Sequence, residues 1–163
     1  MALPGDGQRE LADLLSEEEI CLKRLAESLE RERVALETRE SEALEQAVAE
    51  KRQILEQTAR LHQRRAVLLQ QYGFSNDEEG LQDCMAQCSP SLSRELAPLW
   101  RKLRARMEWC RDQNLVNGRI LELNMRCIRQ TLSILRDGPQ PLELYGPEGT
   151  TSDQEPSTSL ARA

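Results

Sequence analysis

The 163-residue chain carries 28 acidic and 22 basic side chains, a net charge of −6, and only five aromatic residues. Leu, Glu, Ala, Arg and Gln dominate, a mixture that suits long helices with narrow apolar seams and argues against a mixed α/β core. No run approaches the roughly 18–20 consecutive apolar residues of a membrane span, and Met1-Ala-Leu-Pro-Gly-Asp-Gly has neither the basic nor the apolar region of a secretory signal. A cytoplasmic all-α protein without membrane insertion is expected, with room for one domain and tails.

The cysteines, Cys21, Cys84, Cys88, Cys110 and Cys127, are odd in number and lack close-set pairs, which fits a reducing compartment. Cys84, Cys88 and His62 have no finger-like spacing, so the two thiols read as small apolar residues rather than metal ligands. Residues 94–136 hold ten Lys or Arg against four acidic residues, whereas residues 9–40 hold six against ten. Complementarity between neighbouring helices accounts for that contrast, and nucleic-acid binding is the lesser alternative.

The first helix is expected from about Gln8 to Thr38, with Leu15, Leu22, Leu29, Leu36 and Ala43 recurring every seven residues. Glu18 and Glu32 occupy the places of the second seam residue. They narrow the stripe and predict that this helix lies on the outside of the bundle along part of its length. Thr38 or Ser41 can cap a second helix over 41–72, seamed by Ala47/Val48, Ile54/Leu55, Leu61/His62 and Leu68/Leu69. In that pattern His62 is a packed seam residue. Together the two helices make a long antiparallel hairpin.

Gly73 ends the second helix, and a short one follows over 76–88 from Ser75 or Asn76. Ser89-Pro90 then starts a fourth, over 90–136, which Pro98 should kink or restart near Leu96. From Leu96 the pattern is unbroken. Trp100, Leu103, Met107, Cys110, Asn114, Asn117, Leu121, Asn124, Ile128, Thr131 and Leu135 follow at alternating steps of four and three. Asparagine in such a seam either locks the helix against the hairpin or grades the affinity of a partner helix received there.

Gly138-Pro139 closes this bundle domain, 8–137, and residues 138–163 read as a disordered, flexible tail. Within it Leu142-Glu-Leu144-Tyr145 interrupts a polar composition, as a docking segment at 142–149 or as a strap folded back on the bundle. Glycine-rich phosphate loops are missing, and one histidine on a helical seam supplies no catalytic constellation. No enzyme activity and no cofactor is expected.

Asn114-Leu-Val-Asn117-Gly118-Arg-Ile-Leu, then Leu132-Ser-Ile-Leu135-Arg, then Leu144-Tyr145-Gly146-Pro-Glu-Gly149 resemble the C-terminal signature of the FlgN family of flagellar type III export chaperones. Arg39-Glu-Ser-Glu-Ala-Leu44, Lys51, Arg65 and Leu68-Leu69 resemble its hairpin region. The resemblance implies a chaperone that binds the C-terminal helical region of the hook–filament junction proteins FlgK and FlgL. It would prevent their premature assembly and deliver them to the membrane export gate. It makes Leu121, Ile128, Leu132, Leu135 and Leu142 candidates for substrate capture and Tyr145 the candidate gate contact, with Leu144 a further partner-binding candidate. Asn117 and Asn124 join this partner-binding set as the seam amides. The competing reading is a structural coiled-coil scaffold or homo-oligomer.

Overall fold

The computed structural model describes residues 3–138, and these form four helices with no strand among them. They are α1 (Gly5–Thr38), α2 (Ser41–Gln71), α3 (Glu78–Ala86) and α4 (Pro90–Asp137). The described residues fall into two units divided between Arg126 and Cys127, within α4. The bundle described next is the first of these.

Local chemistry sets each boundary. Arg39 takes the left-handed conformation (φ 57°) after α1, and the chain re-enters a helix at Ser41. Glu40 occupies the cap position of α2 without a side-chain bond, so neither Thr38 nor Ser41 caps it. At the other end Gly73 has φ 81°, which lets Phe74 N–H reach back to the Leu69 carbonyl at 2.9 Å. The cap of α3 is Asp77 rather than Ser75 or Asn76. Its carboxylate accepts from Gly80 N–H and from the Ser75 hydroxyl, each at 2.7 Å. A Cβ on Gly80 would lie 2.1 Å from the Ser75 carbonyl oxygen, so this tight cap requires glycine. Gln8 ties the chain start to the α3–α4 junction, donating to the Leu3 carbonyl and accepting from Ser89 N–H. The last helix continues through Pro98 from its start at Pro90.

Bonds between the helices give their directions. Glu32 pairs with Lys51, Gln57 accepts from Arg24, and Glu18 pairs with Arg65, so α1 and α2 run antiparallel. Cys110 donates to the Leu22 carbonyl, Asn117 to Leu29 and Asn124 to Leu36, a constant offset of 88 residues. A constant offset requires that α4 run parallel to α1. It carries Thr38, the last residue of α1, to Arg126, where the first unit ends.

The core is built on Leu11, Leu14 and Leu15 of α1, Ile54 and Leu69 of α2, Leu81 and Cys84 of α3, and Leu103 of α4, all without exposure. Contrary to the expectation from its acidic seam positions, α1 is the helix against which α2 and α4 both bond. Glu18 and Glu32 are buried there, at 4% and 6% exposure, because each meets a cation from α2. Arg65 Nε donates to Glu18 at 2.8 Å, while its guanidinium reaches His62 Nδ1 and lies 5.7 Å from the centre of the Trp100 ring. His62 itself is exposed, not a core residue.

Two outcomes follow from this interior. Glu18→Ala leaves Arg65 buried without its carboxylate, and urea denaturation followed by circular dichroism should show a loss of about 3–5 kcal/mol. Glu18→Leu combined with Arg65→Met should recover most of it; a single variant within about 0.5 kcal/mol of the parent would contradict the pairing. Burial, aided by the neighbouring Cys88, pushes the Cys84 thiol up to about 11 from the ordinary 9.0. Burial raises Cys21, Cys88 and Cys110 as well. The folded chain therefore keeps these protons to higher pH than the unfolded chain does. Their stabilising contribution is intact below pH 9.0 and fades as pH approaches 11, so the urea midpoint should fall over that window. In native thiol titration near neutral pH the exposed Cys127 should react first, and the four buried thiols only on unfolding.

Candidate partner-binding surface

The regular seam of α4 separates into two rows. Leu96, Leu103, Cys110 and Asn117 are buried, and Asn124 is half-buried. The row beside it starts with the buried Trp100 but continues through exposed Met107, Asn114 and Leu121. The α2 seam divides in the same way: Ala47, Ile54, Leu61 and Leu68 are buried, whereas Leu55 is 47% exposed and His62 is exposed. The expected doubled heptad is thus a single packed row, widened at its end by Leu69.

A polar layer decides which row of α4 packs. Glu32 of α1 accepts from Lys51 Nζ at 2.6 Å through one carboxylate oxygen and from Asn117 Nδ2 at 2.8 Å through the other. Asn117 Nδ2 also donates to the Leu29 carbonyl at 2.9 Å, and Lys51 reaches Asn114 Oδ1 at 3.3 Å. One carboxylate, one ammonium and two amides so join three helices. Asn124 repeats the contact one heptad on, donating to the Leu36 carbonyl at 3.0 Å. On the other flank Glu19 lies 3.0 Å from Lys102 and 3.3 Å from Arg106.

The residues assigned to partner binding from the sequence are therefore spread over several environments. Asn117 is buried and its amide nitrogen is committed inside the bundle; Asn124 is half-buried and bonded to α1. Leu121 is exposed in the first unit, with Leu115, Leu123 and Met125. In the second unit Ile128, Leu132, Ile134 and Leu135 are exposed, Leu135 to 76%. Leu142, Leu144 and Tyr145 lie outside the described residues. Absent from the sequence reading are Leu55 and Met107 as surface residues. Their signal is present as seam positions, but nothing local says that no helix among the described residues covers them.

Between these elements the surface opens into recesses. One of about 290 Å³ is floored by Leu22, Leu25 and Leu29 of α1 and walled by Leu55 and Thr58 of α2 and Met107 and Asn114 of α4. A second, of about 470 Å³, is lined by His62, Arg65, Trp100 and Arg104, and shares Met107 and Arg111 with the first. Such walls suit an apolar ligand. The thiols nearby are raised by burial, opposite to an activated nucleophile. Among the described residues no three His, Cys, Asp or Glu side chains gather as a metal site would need, and no helix is long and apolar enough to cross a membrane.

Comparison with known proteins gives this surface a context. No curated protein matches the chain. A solved structure of a flagella synthesis protein, FlgN of Pseudomonas aeruginosa, is 32% identical with a TM-score of 0.62, over 68% of this chain and 85% of that one. The family model described as FlgN protein matches residues 1–153, nearly the whole length. The chain belongs to the FlgN family.

Proposed function

We propose that this protein is a cytoplasmic flagellar export chaperone. It holds the C-terminal helical region of the hook–filament junction proteins FlgK and FlgL, keeps them from assembling early, and delivers them to the type III export gate. No catalytic step is part of that work. Membership of the FlgN family and the flagellar relative support the reading. The observation that carries it is the set of apolar side chains that α4 leaves exposed in each unit, Leu121 in the first and Ile128, Leu132 and Leu135 in the second, of the kind a helical client covers. Leu121, Ile128, Leu132 and Leu135 are the capture residues in this reading, and Leu142 extends them into the tail. Asn117 and Asn124 serve from behind by holding α4 to α1. Leu144 and Tyr145 are assigned to the gate.

Isothermal titration of the full chain with C-terminal segments of FlgK and FlgL tests the proposal. Saturable one-to-one binding is expected, with at least a tenfold loss on replacing Ile128, Leu132 and Leu135 together by glutamate, about 1.4 kcal/mol or more. Helicity by circular dichroism should stay unchanged. Absence of binding by the parent chain to either segment would contradict the proposal.

A further inference from the structure

The two recesses adjoin. Met107 and Arg111 belong to both, and every lining residue lies within the first unit. Their walls are the rows of α2 and α4 that the bundle leaves unpacked: Leu55 and His62 on one side, Met107 and Asn114 on the other, each pair seven residues apart. Seven-residue spacing on two walls over a leucine floor is the geometry that receives a further helix by knobs-into-holes packing. Lys51 to Arg65 and Trp100 to Asn114 each span 15 residues, and helical rise makes both walls about 21 Å long, room for roughly four turns.

Charge selects the occupant. The 290 Å³ recess is lined by Lys51 and Arg111 and by no carboxylate. Lys51 is engaged by Glu32, whereas the Arg111 side chain is 73% exposed, with its adjacent Asp112 at 3.8 Å. In the wider recess Asp77 is bonded to Gly80 and Ser75, and Glu78 is paired with Arg104, which leaves Glu108 as the remaining carboxylate. A second copy could offer the exposed apolar face of its own α4. That face is flanked by Arg119, Arg126, Arg129 and Arg136 against Glu122 alone, which sets cations against Arg111.

We infer that the α2/α4 groove seats an amphipathic client helix whose apolar stripe fills the Leu55 and Met107 rows and whose flanking carboxylate pairs with Arg111. The inference rests on the chaperone reading above and adds to it a groove in the first unit and the charge of the bound segment. Binding in this seat completes four-helix packing around α1 and α2 without moving either. Leu55 and Met107 are nearly half exposed in the free protein, so polar groups there are compatible with the fold.

The test uses the full chain and the same FlgK and FlgL segments by isothermal titration. Leu55→Glu and Met107→Glu should each weaken binding at least tenfold, and Met107→Leu should retain it. Arg111→Glu should weaken it severalfold, with that difference shrinking in high salt. Thermal unfolding by circular dichroism should match the parent in each case. Parental affinity in both glutamate variants would overturn the groove while leaving the chaperone reading intact. No binding by the parent would remove the chaperone reading, and this inference with it. A dimer in sedimentation that the same two variants dissolve would assign the groove to a second copy instead, and would also overturn the inference.

Discussion

The carboxylate of Glu32 is where three helices of this protein meet. It is nearly inaccessible to water, and it is tolerable there only because Lys51 of α2 and Asn117 of α4 both donate to it. A buried carboxylate without such partners would cost several kcal/mol. Sliding α4 by one heptad in one direction would set Cys110 opposite Glu32 and remove its amide partner. In the other direction Asn124 could take over, but Trp109 and Gln113 would then replace Lys102 and Arg106 beside Glu19. Two polar contacts, on opposite flanks of α1, admit one register where apolar packing alone would accept several.

That register has a cost elsewhere. Once Leu103, Cys110 and Asn117 are turned onto α1, the companion row of α4 must face away from it. The same division on α2 leaves Leu55 outside the core. The bundle therefore keeps exposed apolar surface as a geometric consequence of how its interior is held. Such a bundle can be stable alone and still incomplete as a packing unit, because its stability resides in α1 and its contacts while its open surface resides in the second rows.

Much of this was legible in the residues. Gly73 and Ser89-Pro90 mark real helix boundaries, and the seven-residue repeats of α1 and α4 lie along their packed faces. The placement of α1 was read wrongly, because a glutamate in a seam ordinarily marks exposure. Glu18 is neutralised by Arg65, 47 residues away, and no local pattern announces such a partner. His62 failed for the converse reason. It holds a heptad position, but no helix among the described residues covers it. The unbroken α4 seam also looked like one interface. Whether both rows are filled depends on how many helices surround α4, which is a property of the assembled bundle and not of the α4 sequence. The capping of α3 turned on Asp77 rather than its neighbours because only Asp77 reaches Gly80.

The parallel register of α1 and α4 can be measured directly. Spin labels at Lys23 and Arg111, and in a second sample at Glu37 and Met125, occupy exposed positions that are each 88 residues apart. With the native cysteines replaced, pulsed dipolar spectroscopy should return two short and closely similar distances. Two axial separations that change in opposite senses, giving distances that differ by tens of ångströms, would mean that α4 runs the other way, and a common lengthening of about 4–5 Å would mean a slip of one heptad. Either result would contradict a bundle registered by Glu32 and Asn117.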